Sequence, residues 1–170
     1  MAKDNPSHVK DAKKSKIHKK RLFAYSFAIM DLQSRLYIAF SSSMNSEREA
    51  YDRTMKLLSS IDVEMDSIRH DRYYSSPSYM DKLYETKVFV ISKKNTTLSG
   101  SQKWKDTMKE FVLDTMNYLE KYHQRSNSES GFAADKKMSG WNVAQRRNDR
   151  IDNALFCTGV WHNMFNMGRT

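Results

Sequence analysis

Apolar and aromatic positions fall in short runs separated by charge, and the period of the runs changes along the chain. Leu22-Phe-Ala-Tyr-Ser-Phe-Ala-Ile-Met30 is short, apolar and aromatic, and it predicts a buried strand. A polar turn from Asp31 to Ser34 and a second run, Arg35-Leu-Tyr-Ile-Ala-Phe40, complete an expected hairpin. The pattern then shifts to helical spacing. Ser46 precedes Glu47 and Glu49, a capping residue followed by acids that suit a helix N-terminus. Tyr51, Met55, Leu57 and Leu58 supply the apolar stripe of that helix, to about Ser60.

Met65 to His70 predicts a short strand ending at Asp71, and a short helix is expected from Pro77 to Tyr84. Lys87-Val-Phe-Val-Ile91 is the clearest buried strand, β-branched and aromatic between charges. Lys93 to Gln102 reads as a loop. Trp104, Met108, Phe111, Val112 and Met116 follow helical spacing and predict one helix to Leu119. A further helix carries the residues up to Lys136, Gly140 separates it from the next, and Ile151, Ala154, Leu155, Trp161 and Phe165 mark the last. Hairpin, helix, strand, helix, strand and then helices is an α/β order. No internal repeat interrupts it.

At 170 residues the chain is one domain by length, and 39% hydrophobic with 12% aromatic residues is enough for a core. Charge changes the picture. Lys and Arg number 29 against 20 Asp and Glu, a formal net charge of +9. Such a surplus favours polyanions, either nucleic acid or an anionic membrane surface. No apolar run approaches the roughly 20 residues needed to span a bilayer, and no secretory apolar region follows the basic N-terminus. Nucleic acid is the expected partner, with no membrane. Residues 1–20, with Lys3, Lys10, Lys13, Lys14, Lys16, Lys19 and Lys20, are expected to form a basic flexible arm, and residues 21–170 the folded domain. Cys157 is alone, which excludes a disulfide framework and zinc spacing and fits an intracellular setting. Beside Phe156 it reads as a small core residue. No Gly-rich phosphate loop and no nucleophile elbow is present.

The chemistry concentrates in Tyr122-x2-Arg125-x3-Glu129-x6-Lys136. On one helix, positions i, i+4 and close to i+7 share a face, so Arg125, Glu129 and Lys136 are expected to point one way. A carboxylate between two cations suits a phosphate-handling site. The acid can hold a divalent metal through hard oxygen, while Arg grips phosphate bidentately and Lys acts as a point charge. The plainer reading of Arg125 and Glu129 is a solvated i,i+4 ion pair. Tyr122 reads either as a DNA contact or as a core tyrosine. Trp141 and the run Gln145-Arg-Arg-Asn-Asp-Arg150 either line a DNA channel or form a mixed-charge helix surface.

These four residues match, one for one, the Tyr-Arg-Glu-Lys motif of the insertion-sequence transposases. The words around them, Ser128-Glu-Ser-Gly-Phe132 and Ala134-Asp-Lys-Lys137, also resemble archaeal and bacterial members. The resemblance runs from about Arg21 to Phe165. It implies a ribonuclease-H-like mixed sheet flanked by helices, in which Glu129 is the last acid of an Asp-Asp-Glu triad. Asp71-Arg-Tyr-Tyr74 resembles the element around the second acid, and Asp71 stands at a strand end, a favoured place for sites in α/β folds. The implied assignment is Asp71 and Glu129 as catalytic Mg²⁺ ligands, with Tyr122, Arg125 and Lys136 on DNA.

The implied reaction is Mg²⁺-dependent hydrolysis at transposon ends, followed by strand transfer from the freed 3′-hydroxyl to target DNA. A prokaryotic cytoplasmic, nucleoid-associated location goes with it, and so does the option of a homodimer in a synaptic complex. In the family the first acid lies on an opening strand before a basic, variable segment. Here the chain starts inside that segment, and neither Asp4 nor Asp11 lies in a strand-like run. The expectation is therefore a domain without its first strand, a two-metal site with two of three acids, and little activity by itself. Asp71 and Glu129 are still expected to converge at the end of a central sheet. The competing readings are a non-catalytic, basic DNA-binding remnant of a mobile element, and an unrelated nucleic-acid-binding module.

Overall fold

Strand β1 (Tyr25–Met30) turns back into β2 (Tyr37–Ser43), antiparallel, with Phe27 opposite Ser41 and Ile29 opposite Ala39. The computed structural model describes residues 23–168 apart from Tyr84, residues 94–96 and Trp141. The expected arm at residues 1–20 lies outside the described residues. In the hairpin loop Asp31 takes the Ser34 amide on its side chain at 2.7 Å and the Arg35 amide on its carbonyl at 2.9 Å. Helix α1 (Glu47–Ser60) starts as expected, with the Ser46 hydroxyl accepting from the Glu49 amide. It buries Ala50, Tyr51, Thr54 and Leu58, positions one turn apart, and its main contacts are with β1 and β2.

The second unit is β3 (Ser67–Arg69) and β4 (Lys87–Phe89), parallel, with Ile68 beside Val88 and the short helix α2 (Pro77–Met80) between them in sequence. The expected single sheet is thus two separate two-stranded sheets. They share one core all the same: Ile29 and Ala39 from the first, Ile68 and Val88 from the second, and Leu58, Met80, Trp104 and Met108 from helices form one apolar cluster. The architecture is mixed α/β. β4 stops at Phe89 instead of Ile91 because its partner β3 ends opposite it at Arg69; just beyond, the Tyr118 hydroxyl accepts the Val90 N–H at 2.9 Å and donates to its C=O at 3.0 Å.

The single helix expected from Trp104 to Leu119 is two, α3 (Gln102–Leu113) and α4 (Thr115–His123). Asp114 divides them, leaving helical geometry and capping α4 through the Asn117 amide. The motif is split as well. Tyr122 ends α4, Arg125 sits in the junction, and α5 (Ser126–Ser139) carries Glu129 and Lys136. Serine chemistry explains the break: Ser126 and Ser128 bond the carbonyls three residues back, and tight i to i+3 backbone bonds replace the α-helical ladder there. Gly140, at φ +80°, ends α5 in a conformation that favours glycine.

Helix α6 (Asn148–Met167) follows its apolar pattern inward only over its first half. It buries Ile151, Gly159 and His162, while Phe156, Cys157, Trp161 and Phe165 face outward. The reading of Cys157 as a core residue is therefore corrected, while Trp161 and Phe165, which mark the helical spacing, lie on the exposed side. Polar anchors decide the orientation. Asp152 accepts from the Ser42 hydroxyl, and Asn163 bonds both backbone groups of Tyr37. At Gly159 the helix comes so close to β2 that a Cβ would lie 3.1 Å from the Phe40 ring. No helix among the described residues is long and apolar enough to cross a membrane.

Candidate functional site

Asp71 follows β3 and precedes a 3₁₀ turn, Arg72–Tyr74, whose amides its side chain does not cap. Its carboxylate is exposed and reaches sideways to the α4–α5 junction. There Nη1 of Arg125 lies 3.6 Å from Oδ2 of Asp71 and 2.6 Å from Oε1 of Glu129. Glu129 occupies the first turn of α5, where a negative charge complements the helix N-terminus. Two carboxylates from distant parts of the sequence thus meet at one guanidinium nitrogen. Burial works against the Arg125 cation, but Tyr122, Glu129 and Asp71 outweigh it and hold the guanidinium above its ordinary pKa.

Tyr122 is buried against Phe89 and Tyr118, 4% exposed, with the Arg125 guanidinium 5.5 Å from its ring centre. A ring so placed cannot stack on a base. Its contribution is to support Arg125 by packing and cation–π attraction. Lys136 is seven residues past Glu129 on α5, about 10 Å along the axis, and lines a cleft with Tyr37, Phe132, Asp135 and Arg146. The structure therefore gathers Asp71, Arg125 and Glu129 and sets Lys136 apart from them. In the basic run, Arg147 pairs with Asp149 at 2.7 Å, and Trp141 lies outside the described residues.

A buried network beneath α5 has no counterpart in the sequence reading. The Tyr37 hydroxyl donates to Oδ2 of Asp135 at 2.6 Å, and Nδ1 of His162 meets Oδ1 at 2.7 Å. Nε2 of His162 lies 2.8 Å from the Arg35 carbonyl, and the imidazole stacks on the Tyr37 ring with centres 3.9 Å apart. Burial pushes the Tyr37 phenol far up, and Asp135 adds to the shift. The network ties α5, α6 and β2 together and so fixes the helix that carries Glu129. Its one trace in the sequence is an acid next to Lys136, and spacing gives that acid no partner.

Mg²⁺ is often held by one or two carboxylates and keeps several waters. Asp71 and Glu129 are two carboxylates that could serve so, and here Arg125 engages both of them. Among the described residues no group of three or more His, Cys, Asp or Glu side chains is gathered to hold a metal.

Over 145 residues, 84% of its length, the chain is 39% identical to a protein of Archaeoglobus fulgidus described as a probable transposase for insertion sequence element ISA1214. The chain is related to an insertion-sequence transposase. It spans 44% of that relative's length. No family model matches the chain. No solved structure matches it either. The mixed α/β architecture therefore rests on the chain's own geometry.

Proposed function

We propose that this chain acts on DNA in the transposition of an insertion sequence, through a ribonuclease-H-like domain in which Asp71 and Glu129 are the catalytic carboxylates. One observation carries the reading: both acids approach the same Arg125 nitrogen in a chain related to a transposase. Asp71 and Glu129 would hold Mg²⁺, which when bound supplies charge neutralisation and water activation at a phosphodiester. Arg125 engages the carboxylate oxygens that would hold the ion, and a guanidinium freed from them has the shape to grip a phosphate bidentately. Tyr122 limits how far it can swing, and Lys136 adds a point charge further along α5. The formal net charge of +9 draws the polyanion in, with transposon ends and target DNA as the partners.

A second reading is a basic DNA-binding protein without cleavage activity. The absence of a third ligand beside Asp71 and Glu129 among the described residues favours it. A supercoiled plasmid carrying the DNA that flanks this coding region separates the two. Nicking in Mg²⁺ that disappears in D71N and E129Q, with binding retained, supports the catalytic reading. Nicking untouched by both substitutions overturns the site. DNA binding without nicking, persisting when the unmatched part of the Archaeoglobus relative is supplied as a fused segment, selects the second reading.

A further inference from the structure

After β3 and Asp71, the 3₁₀ turn Arg72–Tyr74 sends its two tyrosines different ways. Tyr74 points inward, 2% exposed. It donates its hydroxyl to Glu47 at 2.8 Å and lies against the rings of Phe27, Tyr51 and Tyr79. Tyr73 points outward and is 52% exposed. Its ring meets that of Tyr74 nearly at right angles, with centres 5.1 Å apart. The buried cluster thus holds the outer ring in place from beneath. A ring fixed in this way supplies contact area at little cost in conformational entropy.

Two exposed cations flank the ring. Arg72 precedes it in the turn, and Lys93, in the loop after β4, carries its ammonium 5.5 Å from the ring centre. Surface cations elsewhere are matched by acids: Arg53 by Glu49, Lys82 by Asp52, Lys87 by Glu110 and Arg147 by Asp149. Among the described residues neither Arg72 nor Lys93 has a carboxylate within ion-pair distance. An exposed ring between unmatched cations has the makings of a single-strand contact, with an aromatic face for a base and charge for the backbone. An acidic peptide would answer the cations but offers no flat face to the ring.

We propose that Tyr73 is a stacking platform for an unpaired DNA base next to the phosphate at Asp71, with Arg72 and Lys93 on the flanking backbone, a role that rests on the reading of Asp71 as a residue that faces DNA. Face-to-face stacking needs a base whose own face is bare. Within a duplex both faces are covered by neighbouring pairs, so the ring selects a base that has left the stack. Lys93 lies over the ring in the free chain. Its ammonium is a point charge on a flexible stem, and a phosphate draws it aside while the base takes its place. Two residues of a 3₁₀ turn rise about 4 Å, close to the roughly 3.4 Å step between nucleotides of one strand. The base on Tyr73 and the phosphate at Asp71 therefore belong to the same or to adjoining nucleotides.

The test measures binding of the 170-residue chain to a short oligothymidine, to an abasic strand with the same number of phosphates, and to a duplex. Charge alone treats the two single strands alike. The wild-type chain should bind the oligothymidine on the order of tenfold more tightly than the abasic strand, as stacking of a base on an aromatic ring allows. Y73A should abolish that preference and leave affinity for the abasic strand and the duplex unchanged. Y73F keeps the ring and should keep the preference. The proposal is overturned if the wild-type chain shows no preference, or if Y73A retains it. It is also overturned if Y73A weakens all the probes equally, which would mark the residue as structural. A chain that binds none of them overturns the DNA reading as well. Nicking plays no part in this readout, so a chain that prefers bases through Tyr73 yet never nicks loses only the catalytic reading.

Discussion

The carboxylate of Asp71 and the guanidinium of Arg125 come within 3.6 Å of each other, one at the end of a strand and the other at the junction of two helices. Asp71 and Glu129 are more than half exposed there, so the attraction is screened by water and adds little to folding. Carboxylates held together with so little structural return are available for chemistry.

It follows that D71N and E129Q should each change unfolding free energy by less than about 1 kcal/mol, measured by urea denaturation. A loss of several kcal/mol in either variant would mark that acid as structural and remove the argument for its catalytic use.

Asp135 should behave in the opposite way. D135A leaves the Tyr37 hydroxyl and His162 buried without their shared partner, and breaking a buried pair of this kind costs about 3–5 kcal/mol. Y37F removes only one hydrogen bond from the same network and should cost about 1 kcal/mol. Thermal melting of the two variants gives the ranking, and equal losses would show that Asp135 is not the hub.

Burial pushes the His70 imidazole down to about 4 from its ordinary 6.5. Between those values the unfolded chain takes up a proton that the folded chain refuses. Stability should therefore fall as pH drops through that window, by up to about 3 kcal/mol, while near pH 7 this residue contributes no slope. In H70F that part of the acid dependence should vanish, which unfolding curves at a series of pH values would reveal. An unchanged acid slope would mean that His70 is not the group responsible.

Binding to duplex DNA should be governed by charge. With a formal net charge of +9, affinity should fall on the order of a hundredfold or more between about 50 and 200 mM salt through counterion release. Fluorescence anisotropy with a labelled duplex measures it, and a flat curve would contradict an electrostatic interface.

The parts of this molecule that were legible in the sequence are those fixed by local chemistry. The hairpin, the Ser46 cap of α1 and the helix at Pro77 follow from turn residues, capping and period. The misread parts depend on side chains that reach across the fold. β4 ends where its partner β3 does, with Tyr118 from a helix far along the chain taking up Val90, and Asp114 and the serines around Arg125 interrupt helices whose apolar spacing runs on. The apolar spacing of α6 gives its period but not its facing, which Asp152, His162 and Asn163 set through partners on β2, in the β1–β2 loop and on α5. At the candidate site the spacing of Arg125 and Glu129 announced their pairing. The approach of Asp71 came from family resemblance, since no periodicity links a strand end to that junction. Tyr122 was open between a surface and a core role, and its burial places it in the core.

The amide of Asn163 on Tyr37 and the hydroxyl of Tyr118 on Val90 bear on how large an assembly built through strands can become. An edge that stays open on both sides of a sheet lets one molecule recruit the next without limit, and the result is a fibre. Here the backbone groups of Tyr37 and Val90 are taken up by the protein's own side chains, so at these two positions an incoming strand finds no free partner and outward growth is hindered.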